Sequence, residues 1–324
     1  LAILISIYTY TFAQKPYIRF EHLGSENGLT SNYTEDIVQD SDGFIWCATD
    51  KGVSRYDGTE FRSYRSGDDL VVDYIEDRIY TLFVDSKKDL WAGTLPSGVS
   101  KYNKDKDIFV NYQLPDTTGA INRIYQIYED DDGTIWICSA AGLLKYDLQH
   151  DSIGVVKFTH RILSIIEHNG YLWLGTDRDG IHVYDPIADS VVKKYKSENT
   201  ANSLPGASIY EITRDRNGDI WVGTTKGGLV RYNERYDNFD VFPIILNGKK
   251  ITKAITNVCF ASDGYTYLSG PNLGLIVLTT CMDEVYQYKT DLTSHYGFKA
   301  NTVTGIIEDR DKNIWLSTYA GGIY

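Results

Sequence analysis

Apolar and polar residues alternate over short runs along most of the chain, and the runs return in a fixed order. Residues 79–85 (IYTLFVD), 124–130 (IYQIYED) and 209–215 (IYEITRD) are each followed by an Asp/Gly-rich tip and a second run centred on Trp. A third run at G-x-x-x-Y and an outer F/V-x-x-Y segment come next. Alternation over four to eight residues, bounded by Asp, Asn and Gly, predicts strands joined by tight hairpins. The chain is therefore expected to be all-β, with four short strands per unit.

The units repeat. DGFIWCATDKGVSRYD (42–57), KDLWAGTLPSGVSKYN (88–103), DGTIWICSAAGLLKYD (132–147) and GDIWVGTTKGGLVRYN (218–233) share the template D-x-x-G-x-I-W-x-x-T-x-x-G-x-x-x-Y-D. NGYLWLGTDRDGIHVYD (169–185), DGYTYLSGPNLGLIVL (263–278) and KNIWLSTYAGGIY (312–324) complete the set. Anchors fall at Trp46, Trp91, Trp136, Trp173, Trp221, Tyr267 and Trp315, at spacings of 45, 45, 37, 48, 46 and 48 residues. That period is the size of one four-stranded propeller blade. Seven units occupy residues 14–324 and predict a seven-bladed β-propeller. The seventh unit stops before its outer strand, while residues 17–22 (YIRFEH) alternate without a unit of their own. A propeller must close its ring or expose a sheet edge. The N-terminal segment is therefore expected to supply the missing strand. Tyr267 in place of Trp, and the short fourth unit, mark two blades where distortion is expected.

Composition agrees with the pattern. Aromatic residues make up 13% of the chain, with 26 Tyr beside a single Met, which suits pleated, half-buried surfaces. The formal charge of −12, with no basic run to offset it, disfavours nucleic acid as a partner. Residues 1–13 (LAILISIYTYTFA) are apolar, end on small residues and read as the remnant of a secretory signal. The run is too short to span a membrane, so export is expected. Cys47, Cys138, Cys259 and Cys281 form no CxxC pair and no metal-ligand spacing with His, and read as buried thiols. Export leaves a disulfide open.

No catalytic constellation emerges: GxSxG, HExxH, P-loop and GxGxxG contexts are missing, and six histidines fall at unrelated repeat positions. The Asp-rich tips lack the long loop and closing Glu of an EF-hand, so hairpin chemistry accounts for them. No metal or cofactor is expected. Binding candidates come from the repeat itself. The first strand of each blade lines the channel, and Arg78, Arg123 and Arg161 occupy one repeat position in consecutive units, beside Tyr33, Ser208, Ala254 and Thr302 in the others. Three arginines at one mouth suit carboxylate or sulfate groups; pairing with acids such as Glu76 and Asp77 is the simpler alternative. The loops after the Trp strands vary where the strands do not. They contribute Asp177, Arg178, Lys226 and Tyr319 to the same face, with Tyr74 nearby, and aromatic and polar groups of this kind stack on and bond to sugar rings.

The repeat closely resembles that of the two-component regulator propeller family. Phe20-Glu-His-Leu23 followed by Asn27-Gly-Leu-Thr-Ser-Asn32 is similar to the entry into the periplasmic sensor of hybrid two-component systems. That resemblance implies a periplasmic sensor that binds an oligosaccharide and controls a histidine kinase. It also implies a second propeller, further domains of the same polypeptide and a homodimeric full-length protein. A free-standing secreted propeller is the alternative. It would be a lyase similar to streptogramin lyases, though without an evident His/Glu pair at the channel, or a lectin or protein-binding scaffold lacking WD-repeat signatures.

Overall fold

The computed structural model describes residues 18–65, 78–112, 119–198, 203–226, 228–291, 293 and 297–324. The proposed signal remnant at residues 1–13 lies outside them. Six antiparallel four-stranded sheets follow one another along the chain, each a simple up-and-down meander, and a three-stranded sheet ends it. They are the seven blades of a β-propeller, starting at Thr34–Gln39, Ile79–Val84, Ile124–Glu129, Ile162–His168, Ile209–Arg214, Asn257–Phe260 and Val303–Glu308. A small hairpin, Ile245–Leu246 with Lys249–Lys250, is inserted between the fifth and sixth blades. No helix among the described residues is long and apolar enough to cross a membrane.

The second strand of each blade carries the anchor. In Ile45–Thr49, Leu90–Thr94, Ile135–Ser139 and Ile220–Thr224 every residue is buried, because neighbouring blades pack face to face over this strand. Each apolar cluster therefore joins two blades. Trp46, Val53 and Tyr64 of the first blade pack with Ile79, Leu82, Leu90 and Phe109 of the second. Leu29, Ile37, Ile45 and Cys47 pack with Ile323 and Trp315 of the last. The bulk of an indole is what fills such a gap.

One polar contact recurs with the anchor. The Asp six residues before Trp accepts from the indole Nε1 at 2.7 Å (Asp40–Trp46), 2.9 Å (Asp85–Trp91), 2.7 Å (Asp130–Trp136), 3.0 Å (Asp215–Trp221) and 2.7 Å (Asp309–Trp315). Its other oxygen accepts two backbone N–H groups of the hairpin, Lys87 at 3.0 Å and Asp89 at 2.8 Å in the second blade. One carboxylate thus closes the turn and satisfies the buried indole.

The two expected irregularities are accommodated within full blades. Tyr267 donates from its hydroxyl to Asp263, four residues back, at 3.1 Å, so the acid has moved to meet a shorter reach. The fourth blade replaces the Asp turn by a two-residue Asn169-Gly170 hairpin, both residues at positive φ, between paired His168 and Tyr171. This type I′ geometry needs fewer residues. It shortens the unit by one residue; most of the shortening lies in the connection from Val155 to Ile162, and no strand is removed.

The ring closes through the N-terminal segment, at a position slightly displaced from residues 17–22. Leu23 forms a β-bridge with Ile323 through two 3.0 Å backbone bonds. Phe20 wedges between Phe298 and Tyr324, with ring centroids at 4.9 and 6.2 Å. Gly322 N–H donates to Asn32 C=O at 2.9 Å, and Arg310 donates to the carbonyls of Asp40 and Ser41. The four cysteines are free; Cys47 and Cys138 are buried as expected, whereas Cys259 is half-buried and Cys281, in the turn before the sixth blade's outer strand, is exposed.

Two outcomes are expected. Asp85→Ala, which strands the buried Trp91 indole and two turn N–H groups, should cost about 2–3 kcal/mol in urea unfolding; Asp42→Ala, at an exposed tip, should cost about 0.5 kcal/mol or less. Deleting residues 14–23 should lower the melting temperature strongly, since it unpairs Ile323 and removes Phe20 from its cluster.

Candidate functional site

A repeated irregularity shapes the channel. In six blades the pairing of first and second strands skips one residue: Glu35, Tyr80, Tyr125, Leu163, Tyr210 and Thr304. A bulge of this kind re-aims the skipped side chain. These six, with Thr256 of the remaining blade, all line a central cavity of about 320 Å³. The next residue along, Asp36 or Gln126, clamps one blade to the next. Asp36 Oδ2 accepts Leu82 N–H at 2.8 Å, and Gln126 Oε1 accepts Ile165 N–H at 2.7 Å.

Two residues before the bulge lies the arginine column. Its backbone carbonyls accept from the first residue of each loop after the Trp strand: Arg78 from Leu95 at 3.1 Å, Arg123 from Ala140 at 3.0 Å, Arg161 from Asp177 at 3.0 Å and Thr302 from Tyr319 at 3.0 Å. These bonds bring the loops and the arginines to one mouth of the channel. Arg78 pairs with Glu35 at 2.9 Å, and Arg161 with Asp177 at 3.4 Å, where Ser208 also donates at 3.0 Å. Among the described residues the Arg123 side chain has no ion pair or hydrogen bond, and it is exposed. The partners are thus acids distant in sequence, while Glu76 and Asp77 lie outside the described residues, as does Tyr74.

The loop residues are displayed rather than packed. Tyr319 is 57% exposed and meets Tyr33 edge to face at 5.1 Å. Arg178, at φ +72°, extends into solvent 3.9 Å from Asp177, and Lys226 is exposed.

Below the mouth the electrostatics change sign. Burial raises the Glu35 carboxyl, against the pull of Arg78. Burial pushes Asp36 up to about 6, although it accepts from Leu82, Ile37 and Thr81. Glu211 is pushed up to about 8, first by burial and then by Asp36 across the channel. Burial likewise raises the Tyr80 phenol to about 12, with Glu35, Tyr125, Asp36 and Tyr210 adding to the effect.

Sequence reasoning passed over this acidic, tyrosine-lined ring. The signal was present two and three residues after the arginine column, in the same repeat. It also missed His160, Asp179 and His182, whose ligand atoms lie within 4.8 Å of one another. His182 is fully buried, with Nε2 2.7 Å from Asp179 and Nδ1 without a partner. Coordination through Nε2 would force a proton onto that buried Nδ1, and Lys196 already lies 3.2 Å from the same carboxylate. A neutral His182 donating to Asp179 fits better; burial lowers its basicity.

The ring of seven blades gathers loops of varied sequence at one mouth, where a rigid scaffold can hold a site. The family model described as "Two component regulator propeller" matches residues 28–51, 118–141, 203–226 and 297–320, which lie in four of the seven units. It is 24% identical over 253 residues to "Histidine kinase P4" of Formosa agariphila, covering 72% of this chain and 18% of the kinase. Its fold is similar to the extracellular domain of a hybrid two component system from B. thetaiotaomicron, with TM-score 0.81, 23% identity, and 95% and 41% of the two chains covered. It is also similar to a catalytically inactive virginiamycin B lyase from Staphylococcus aureus solved with quinupristin, with TM-score 0.69, 15% identity, and 94% and 97% covered. The chain thus spans under half of the kinase and of the two-component extracellular domain.

Asp36 and Glu211 hold protons more tightly folded than unfolded, so their contribution to stability is largest below about pH 4 and is lost as pH rises through about 6 and about 8. Glu211→Gln removes the upper part. The melting-temperature advantage of this variant over the parent should grow between pH 6 and pH 9.

Proposed function

We propose that this chain is the exported ligand-sensing propeller of a hybrid two-component signal transduction protein, and that the ligand is an oligosaccharide bound at the loop mouth. The carrying observation is the convergence there of Arg78, Arg123, Arg161, Asp177, Arg178, Lys226 and Tyr319 on a rigid ring built from regulator-propeller repeats. Tyr319 offers an exposed ring face to a sugar, and Arg123 a guanidinium free for a carboxylate or sulfate. The relative that is a histidine kinase, and the extracellular domain of a hybrid system, support the coupling to a kinase.

On this reading the propeller binds and does not catalyse. The output belongs to further domains of the same polypeptide, including a second propeller and a kinase, and the full-length protein is an inner-membrane homodimer whose sensor faces the periplasm.

The test is a panel of neutral, uronic-acid and sulfated oligosaccharides screened against the whole ectodomain by thermal shift and calorimetry. We expect at least one anionic oligosaccharide to bind, and the Arg78→Ala/Arg123→Ala/Arg161→Ala variant to weaken it by about tenfold or more. Unchanged affinity in that variant would remove the arginines from the site, and no binding by any glycan would overturn the ligand class.

A further inference from the structure

We propose that the central channel is a second ligand site, separate from the loop mouth, and that it takes a small hydroxylated ammonium compound. The inference goes beyond the sensor reading and does not depend on it.

The cavity has the size and the lining of a binding pocket. Its volume of about 320 Å³ has room for a molecule of monosaccharide size. Tyr80, Tyr125 and Tyr210 converge on it from three blades, with the Tyr80 and Tyr125 rings at 5.5 Å and 89°, two perpendicular walls of an aromatic corner. Aromatic faces of this kind attract organic cations, quaternary ammonium groups above all.

The charge in the wall matches. Asp36 is held by three donors, and Glu35 by Arg78. Glu211 differs: it faces the cavity, and among the described residues no cation or hydrogen-bond donor meets its carboxylate. Glu211 is half-buried, and a carboxylate drawn into a narrow channel with no protein partner is stabilised by a ligand that supplies the countercharge. Around it stand Tyr210 on its own strand, uncharged Leu163 and Ser164 on one neighbouring strand, and Thr256 and Asn257 on the other. Across the channel are Asp36, Glu35 with Arg78, Tyr80, and Tyr125 beneath Arg161. Thr81 and Thr304 are bonded to Asp36 and to the Thr34 carbonyl, but the Gln126 amide N–H and the Asn257 amide oxygen are left over from the bonds their side chains make and can meet a cation that also carries a hydroxyl. A bare divalent metal would find too few free oxygens, since phenol rings occupy much of the wall.

Choline, charged at every pH, and its neutral isostere 3,3-dimethyl-1-butanol separate charge from shape. We expect the 324-residue chain to bind choline in calorimetry and to bind the isostere about tenfold more weakly or worse. Binding should strengthen from pH 6 to pH 9, as the ligand displaces the proton on Glu211. Glu211→Gln should lower choline affinity about tenfold, and Tyr210→Leu, at a partly exposed ring that the fold does not need, should weaken it as well. The Arg78→Ala/Arg123→Ala/Arg161→Ala variant should retain it, which keeps this test distinct from the oligosaccharide one. Equal binding of choline and isostere, an unaffected Glu211→Gln variant, no choline binding at all, or stabilisation by calcium chloride in place of choline would each overturn the proposal.

Discussion

The ring rests on one contact: the hydrogen bond from a buried indole to an aspartate that also closes the hairpin beside it. An indole fills the wedge between blades because it is large and flat, but its N–H cannot be left without an acceptor. The aspartate lies six residues back and solves both problems at once, capping the turn with one oxygen and the indole with the other. Five blades repeat this arrangement with distances from 2.7 to 3.0 Å. The two exceptions show what is essential. Tyr267 keeps the acid and changes the reach. The fourth blade gives up the acid and uses an Asn-Gly hairpin, with His168 lying edge-on to Trp173 at 5.5 Å.

Once the Trp strand is locked, the first strand is left to build function. In six blades its bulge turns one residue into the channel, and in the first and third the next residue, Asp36 or Gln126, ties that blade to a neighbour. The residue two places before the bulge is carried to the mouth, bonded to the loop that follows the Trp strand. A single repeat position therefore defines a ring at one height, and three positions within four residues define a mouth, a channel wall and an inter-blade seam.

This layering sorts charge. The mouth carries Arg78, Arg123 and Arg161, while the channel just below carries Glu35, Asp36 and Glu211. Arg78 reaches down to Glu35, so the two layers are coupled at the first and second blades. Low exposure in the channel favours the protonated form of Glu211, which has no partner among the described residues, whereas Asp177 at the mouth is shared between Arg161 and Ser208.

Much of this was legible in the residues. The Trp period, the Asp/Gly tips, the count of seven and the incomplete last unit are local or periodic features, and period-two alternation together with turn chemistry is sufficient to read them. The arginine column was legible for the same reason. Tertiary structure alone decided which side chains meet across the ring: Arg78 with Glu35, Asp36 opposite Glu211, and His182 with Asp179 and Lys196. The bulge was hidden too, because a skipped residue leaves the alternation on either side nearly intact and yet changes which side chain enters the channel. Local sequence thus determined the blades and their closure. The chemistry inside the ring depends on residues brought together only when seven separate strands share one axis.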